Sequence, residues 1–290
     1  MSVDLLHMTD PGCPWAYSSS PALAVLRWRF GDQLDWRLVT IGLTEDADQY
    51  TARGYTPARG AVSRIMFRRF GMPFSVDVRE RNMATSRGCR AIVATRLKHP
   101  GREHAVFRAL QFGWMTTTLL MDTDDGIRAA IADVAGIDAD AIVAALDDAD
   151  VREAYEADRA LVRTAAGSPT EAMGRHATSD GPVRYTAPSL IFTVGDRSLD
   201  AGGFQPVETY DAFVANLAPE LERRAPATDA VEVLAAFPDG LTTAEVAAVM
   251  TPHLRWPDPA ATEQALIEAV AEGRATRHAI GDDALWTAAA

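Results

Sequence analysis

The sequence predicts an α/β protein in which an all-helical insertion separates two sheet-building segments and a small helical module with a hairpin follows. Three observations predict this. Strand and helix periods alternate over residues 3–43, helical stripes alone recur from 92 to 162, and strand alternation returns at 188–203. With 290 residues and 48% hydrophobic side chains, the chain can bury several layers.

The opening VDLLHMT reads as a strand, and PWAYSSSPALAVLRWRFG as a helix with Leu23, Leu26 and Phe30 on one face. Gly31 ends that helix, and Pro21 inside it removes one backbone donor and is expected to bend the axis. LDWRLVTIGL, residues 34–43, has the alternation and β-branched content of a second strand. Residues 1–45 therefore form the first part of the sheet domain.

Residues 46–180 form the insertion and its connecting loops. Glycines and prolines break up its first forty residues around a short helix, AVSRIMFRRF. Helical stripes then follow: Ile92, Val93 and Leu97; Phe107, Leu110 and Trp114; Ile127, Ile131 and Val134; Val151, Tyr155 and Val162. The polar stretch GSPTEAMGRHATSDGPVR reads as a loop.

The second part of the sheet domain, 181–224, is a hairpin turning at Gly195-Asp196 and a helix striped by Val207, Tyr210, Val214, Leu217 and Leu221. Residues 228–290 form the last module. Thr242 and Glu245 make a capping-box signature, ATEQALIEAVAEG is a second helix ending at Gly273, and Gly281-Asp282 turns a hairpin. Helix, helix, hairpin is a winged-helix outline.

Charge excludes one class of function. The formal net charge of −12 repels nucleic acid and anionic membrane, and the last module is more acidic still, with three arginines against ten carboxylates. Such a module is expected to pack on the main domain, on a second subunit in a homodimer, or on a protein partner. Two isolated cysteines and six scattered histidines offer no metal-ligand spacing, and no phosphate-binding glycine loop is present. The start MSVDLLHMTD has no signal-peptide pattern and no apolar run is long enough to span a bilayer, so a cytoplasmic protein is expected.

The chemistry-bearing stretch is DPGCPWA, residues 10–16. A cysteine at a first helical turn faces unpaired N–H groups and the positive end of the helix dipole, which favour thiolate. Cys13 is accordingly expected to titrate at ~3.5–7.5 instead of ~8.5 and to act as a nucleophile. Pro14 suits the first turn because it has no N–H to donate, and Trp15 supplies an apolar platform. Cys89 lies on the Ile92, Val93 and Leu97 stripe, where a core role is expected; its alternative is a second thiol that resolves Cys13. His7 reads as a satisfied interior imidazole and His176 as a solvated loop residue; Arg87 and Arg90 are either solvated or grips for the carboxylates of a small thiol.

Strand, DPGCPW helix, strand, helical insertion, TAPSLIF hairpin and helix together resemble the DsbA-like thioredoxin-fold oxidoreductases, over roughly residues 3–222. The resemblance implies a thioredoxin-like fold in which Pro188 is cis and the backbone of Ala187 lines a groove for an extended substrate; a trans proline opening a strand is the alternative. It also implies that TSRGCRA opens the helix packed over the active site.

Ala16 departs from the family pattern, since the pair of cysteines that cycles by internal exchange needs a second thiol there. A substitution made to trap a mixed disulfide would also leave an alanine. Cys13 alone implies exchange through a mixed disulfide with a substrate or with a low-molecular-weight thiol, glutathione or mycothiol, and no tightly bound cofactor. The kappa-class glutathione transferases and 2-hydroxychromene-2-carboxylate isomerases share the architecture, so thiol conjugation or isomerisation is a second reading. A redox-inactive thioredoxin scaffold that binds a protein is a third.

Overall fold

The computed structural model describes residues 2–289. β1 (Val3–Thr9) leads through the loop at 10–13 into α1 (Pro14–Ser18) and α2 (Ser20–Phe30). The single bent helix expected here is two helices, divided at Ser19. Pro21 has no N–H to offer the carbonyl four residues back, so it opens a new helix instead of bending an old one.

β2 (Leu34–Thr40) lies parallel to β1, with Val3 opposite Leu34 and Thr9 opposite Thr40. It ends three residues before the expected limit because Gly42, at φ 63°, turns the backbone out of the extended region.

The insertion comprises α3 (Asp48–Ala52), α4 (Pro57–Phe67), α5 (Ser86–Lys98), α6 (Glu103–Thr116), α7 (Asp124–Ile131), α8 (Ala139–Ala144), α9 (Ala149–Val162) and α10 (Pro169–Ala172). α4 starts before its apolar run, because Thr56 caps it by accepting from the amide of Arg59 and Pro57 occupies its first turn. The expected stripes meet in one core that includes Ile92, Val93, Phe107, Leu110, Trp114, Ile127, Ile131, Val151 and Tyr155. Leu97 does not join them and is exposed. The polar stretch before the hairpin holds α10 and a two-residue ladder, β3 (His176–Ala177) with β4 (Arg184–Tyr185), so it is not a bare loop.

β5 (Ser189–Val194) and β6 (Arg197–Gly202) form the expected hairpin, and the sheet order is β2-β1-β5-β6. On one face α2 and α11 (Val207–Leu217) pack through Leu23, Leu26, Tyr210 and Val214 against Leu5 and Phe192. On the other, Met8 and Val39 meet Val162 and Ala165 from the end of the insertion.

The C-terminal module adds α12 (Ala230–Ala236), β7 (Leu241–Thr242), α13 (Thr243–Met250), α14 (Pro259–Ala271), β8 (Ala275–Ile280) and β9 (Asp283–Ala288). Its sheet order is β7-β9-β8, and the Thr242–Glu245 capping box is formed. α12 and β7 escape sequence reading because seven and two residues are too short to show a period. The module packs on the main body: Ala24, Val25 and Trp28 of α2 share a core with Val246, Val249, Leu266 and Trp286. Glu245, Asp239 and Asp282 pair with Arg108, Arg102 and Arg68 of the insertion. Part of the module's acidity is thus matched by arginines of the body.

Candidate active site

Cys13 is the N-cap of α1, with extended backbone (φ −87°, ψ 116°), and its carbonyl accepts from the amide of Tyr17. Pro14 follows in the first turn as expected. The Ala187–Pro188 peptide bond is cis, and the Cys13 thiol donates to the carbonyl of Ala187 at 3.3 Å. Residues 174 positions apart are therefore joined at the reactive atom. Ala16, the departure from the paired-cysteine pattern, is buried in the same small cluster as Cys13, Met8, Val39, Ile41, Tyr185 and Ala187.

This surrounding corrects the expectation of an acidic thiol. Cys13 is only 7% exposed, and burial pushes its thiol up to about 12. The amides of Ala16 and Trp15 and the charge of Arg184 pull the other way, while Asp10 adds to the rise. Helix-end donors of a five-residue helix do not offset desolvation of a buried anion. In this geometry the sulfur is a hydrogen-bond donor, a protonated thiol.

Asp10 was not singled out by sequence reasoning, yet it organises the loop. Fully buried, its carboxylate accepts from the amides of Gly12 and Leu43 and from the Thr85 hydroxyl, each at 2.9 Å. It thereby ties the cysteine loop to the end of β2 and the start of α5. Burial raises its pKa, and these hydrogen bonds oppose the rise. The one signal in the sequence was an acid two residues before a glycine, a common turn pattern.

Cys89 is also fully buried, in the insertion core as expected, and its thiol lies 3.5 Å from Asp10 Oδ2. Both cysteines are free, each thiol directed at a different oxygen. Arg87 and Arg90 are neither solvated nor open grips, since Asp124 and Asp147 already engage Arg87 and Asp147 engages Arg90. His7 is buried, but no partner reaches either ring nitrogen. His176 lies in β3, partly buried.

Trp15 stays 38% exposed and leans on Phe67, Phe70 and Phe204, with ring centroids 4.9–5.7 Å away. This aromatic cluster joins α1, the end of α4 and the segment after β6, three places no periodicity connects. Trp114 and Phe107 are core residues. Beside Pro14 a cavity of about 190 Å³ is lined by Gly12, Tyr50, Arg64, Arg79, Asn82 and Thr85.

A family model, the DSBA-like thioredoxin domain, matches residues 8–186, more than half of the chain. The chain belongs to the DsbA-like thioredoxin domain family. None of the curated proteins compared with it matches. Among solved structures, a candidate protein disulfide isomerase from Nitrosomonas europaea is similar at 15% identity and TM-score 0.56, over 74% of this chain and 97% of that one. The cytosolic disulfide reductase DsbM from Pseudomonas aeruginosa is similar at 18% identity and TM-score 0.51, over 73% of this chain and 97% of that one, and it has also been solved with GSH. At these identities the likeness is one of fold. The DsbA-like fold here is completed by β5, β6 and α11, beyond the matched residues. Among the described residues no helix is long and apolar enough to cross a membrane.

Proposed function

We propose that this DsbA-like protein is a monothiol thiol–disulfide oxidoreductase acting through Cys13. The observation that carries the reading is the thiol of Cys13 at the start of α1, 3.3 Å from the carbonyl preceding cis Pro188, with Ala16 in place of a second thiol. An extended substrate whose amide takes over the Ala187 carbonyl frees the S–H. The proton then passes to water, the Cys13 sulfur attacks a substrate disulfide, and the departing thiolate is protonated. A low-molecular-weight thiolate, glutathione or mycothiol, attacks the substrate sulfur of the mixed disulfide, expelling Cys13 as its thiolate and leaving the substrate sulfur in a disulfide with the small thiol. Of the two small thiols, glutathione carries carboxylates, and these suit the cavity beside Pro14, which Arg64 and Arg79 line; Arg79 spends its Nη2 on backbone carbonyls and keeps an Nε without a partner.

The test is mass spectrometry of the chain after incubation with oxidised glutathione and, separately, mycothiol disulfide. A single adduct on Cys13, removed by the reduced thiol and absent in Cys13→Ser, is the expected result. A Cys13–Cys89 disulfide would refute the monothiol scheme. Small-thiol-dependent activity retained by Cys13→Ser would point to kappa-class conjugation instead.

The burial of Cys13 favours the redox-inactive scaffold as a second reading. Under it, neither disulfide leaves an adduct at any pH. Under the monothiol reading, adduct formation without a bound peptide accelerates steadily with pH through 9, because the resting thiol is pushed up to about 12.

A further inference from the structure

A second cavity, of about 410 Å³, lies where three parts of the chain meet: α2 and β2 of the sheet domain, α6 of the insertion, and the α12–β7 connection with α13. It shares no lining residue with the cavity beside Pro14. Its volume is that of a small-molecule site.

Hydrogen-bonding capacity inside it is unevenly spent. The wall carboxylates Glu245 and Asp239 are engaged by Arg108 and Arg102, and Asp32 is exposed. Two buried donors in it lack partners. Arg27 has no carboxylate partner among the described residues; its Nε is shut off from solvent without a hydrogen bond, and its guanidinium lies over the Trp36 ring, 3.9 Å from the centroid. Gln111, 2% exposed, has an Nε2 with no acceptor. Burial and the nearby Arg108 lower Arg27 to about 10, which still leaves it charged at neutral pH. A largely desolvated cation beside an unused amide donor is unfavourable until an anion joins them. The other walls combine apolar or aromatic side chains, Leu23, Trp28, Trp36 and Phe107 among them, with the polar Ser20, His104 and Arg224.

We propose that this cavity binds a small aromatic carboxylate, its carboxylate held by Arg27 and Gln111 and its ring against Trp36, Phe107 and Leu23. Because the C-terminal module supplies one wall, such a ligand also strengthens the docking of that module.

Calorimetry with 2-naphthoate, and with 2-naphthamide as its uncharged counterpart, tests the assignment on the intact chain. Saturable one-to-one binding of the acid is expected, with the amide weaker by about tenfold or more, the worth of one charge-assisted hydrogen bond. Arg27→Gln is expected to weaken the acid by a similar factor, and alkylation of Cys13 to leave its binding unchanged. Equal affinity for acid and amide, no saturable binding, undiminished binding by Arg27→Gln, or loss on alkylating Cys13 would each overturn it. The acid-to-amide comparison needs no variant, so it stands even where Arg27→Gln folds poorly.

Discussion

His7 is the residue whose burial carries the clearest consequence for pH. Its ring sits edge-on between Trp36 and Phe107, at 6.1 and 5.9 Å, with neither nitrogen hydrogen-bonded. Burial, with the charge of Arg27 second, lowers its pKa to about 3. The unfolded chain therefore binds a proton at this residue between pH 6.5 and 3 that the folded chain refuses. Its contribution to stability is complete above 6.5 and is lost as pH falls, by up to about 1.4 kcal/mol per pH unit. We expect urea unfolding of wild type and His7→Leu to diverge in slope over pH 6.5 to 4, the variant losing less on acidification. Parallel slopes would show that His7 is reached by a proton in the folded state. The same desolvation explains Cys13: sequence chemistry predicts an acidic thiol there and a satisfied interior imidazole at His7, and in both the enclosing residues decide the charge.

At the scale of elements, α5 is pressed on the active-site loop by a close approach. A Cβ at Gly88 would stand 2.8 Å from the Trp114 ring and 3.5 Å from Pro11. Trp114 is buried and cannot yield freely. Helix propensity alone would make Gly88→Ala stabilising by about 1 kcal/mol. Overpacking, typically about 1–3 kcal/mol, opposes that gain and wins where the neighbour is a rigid ring. A net loss of stability in denaturant unfolding is expected, together with faster alkylation of Cys13 and Cys89 as α5 lifts; a more stable variant would mean the ring moves aside. The helix stripes and the hairpin were legible because each repeats a local period over six residues or more. The break at Ser19, the early end of β2 and the α12–β7 pair were not, since a proline's missing donor, one left-handed glycine and two very short elements leave no period.

For the whole molecule, the pairing of Arg108 with Glu245 joins insertion to C-terminal module at a buried point. Glu245 is fully buried, accepts two bonds from Arg108, and also closes the capping box of α13. Glu245→Gln keeps the box's shape but leaves Arg108 uncompensated, a change expected to destabilise by about 3–5 kcal/mol. Calorimetric unfolding should show one transition in wild type and, in the variant, a lower midpoint or a module that melts first. An unchanged thermogram would mean that the apolar contacts of α2 with α13 hold the module without this pair.

Local order determined much of this protein in advance: strand, helix and strand around Cys13-Pro14-Trp15, the helical insertion, the Gly195-Asp196 hairpin, and through family resemblance the cis bond before Pro188. These depend on periods and short-range sterics that neighbouring residues carry. Tertiary structure alone decided the protonation of Cys13, the hub at Asp10, the seat of the acidic module and the second cavity. Desolvation and ion pairing are set by whichever groups arrive from elsewhere in the chain, and the carbonyl that meets the Cys13 sulfur comes from 174 residues away.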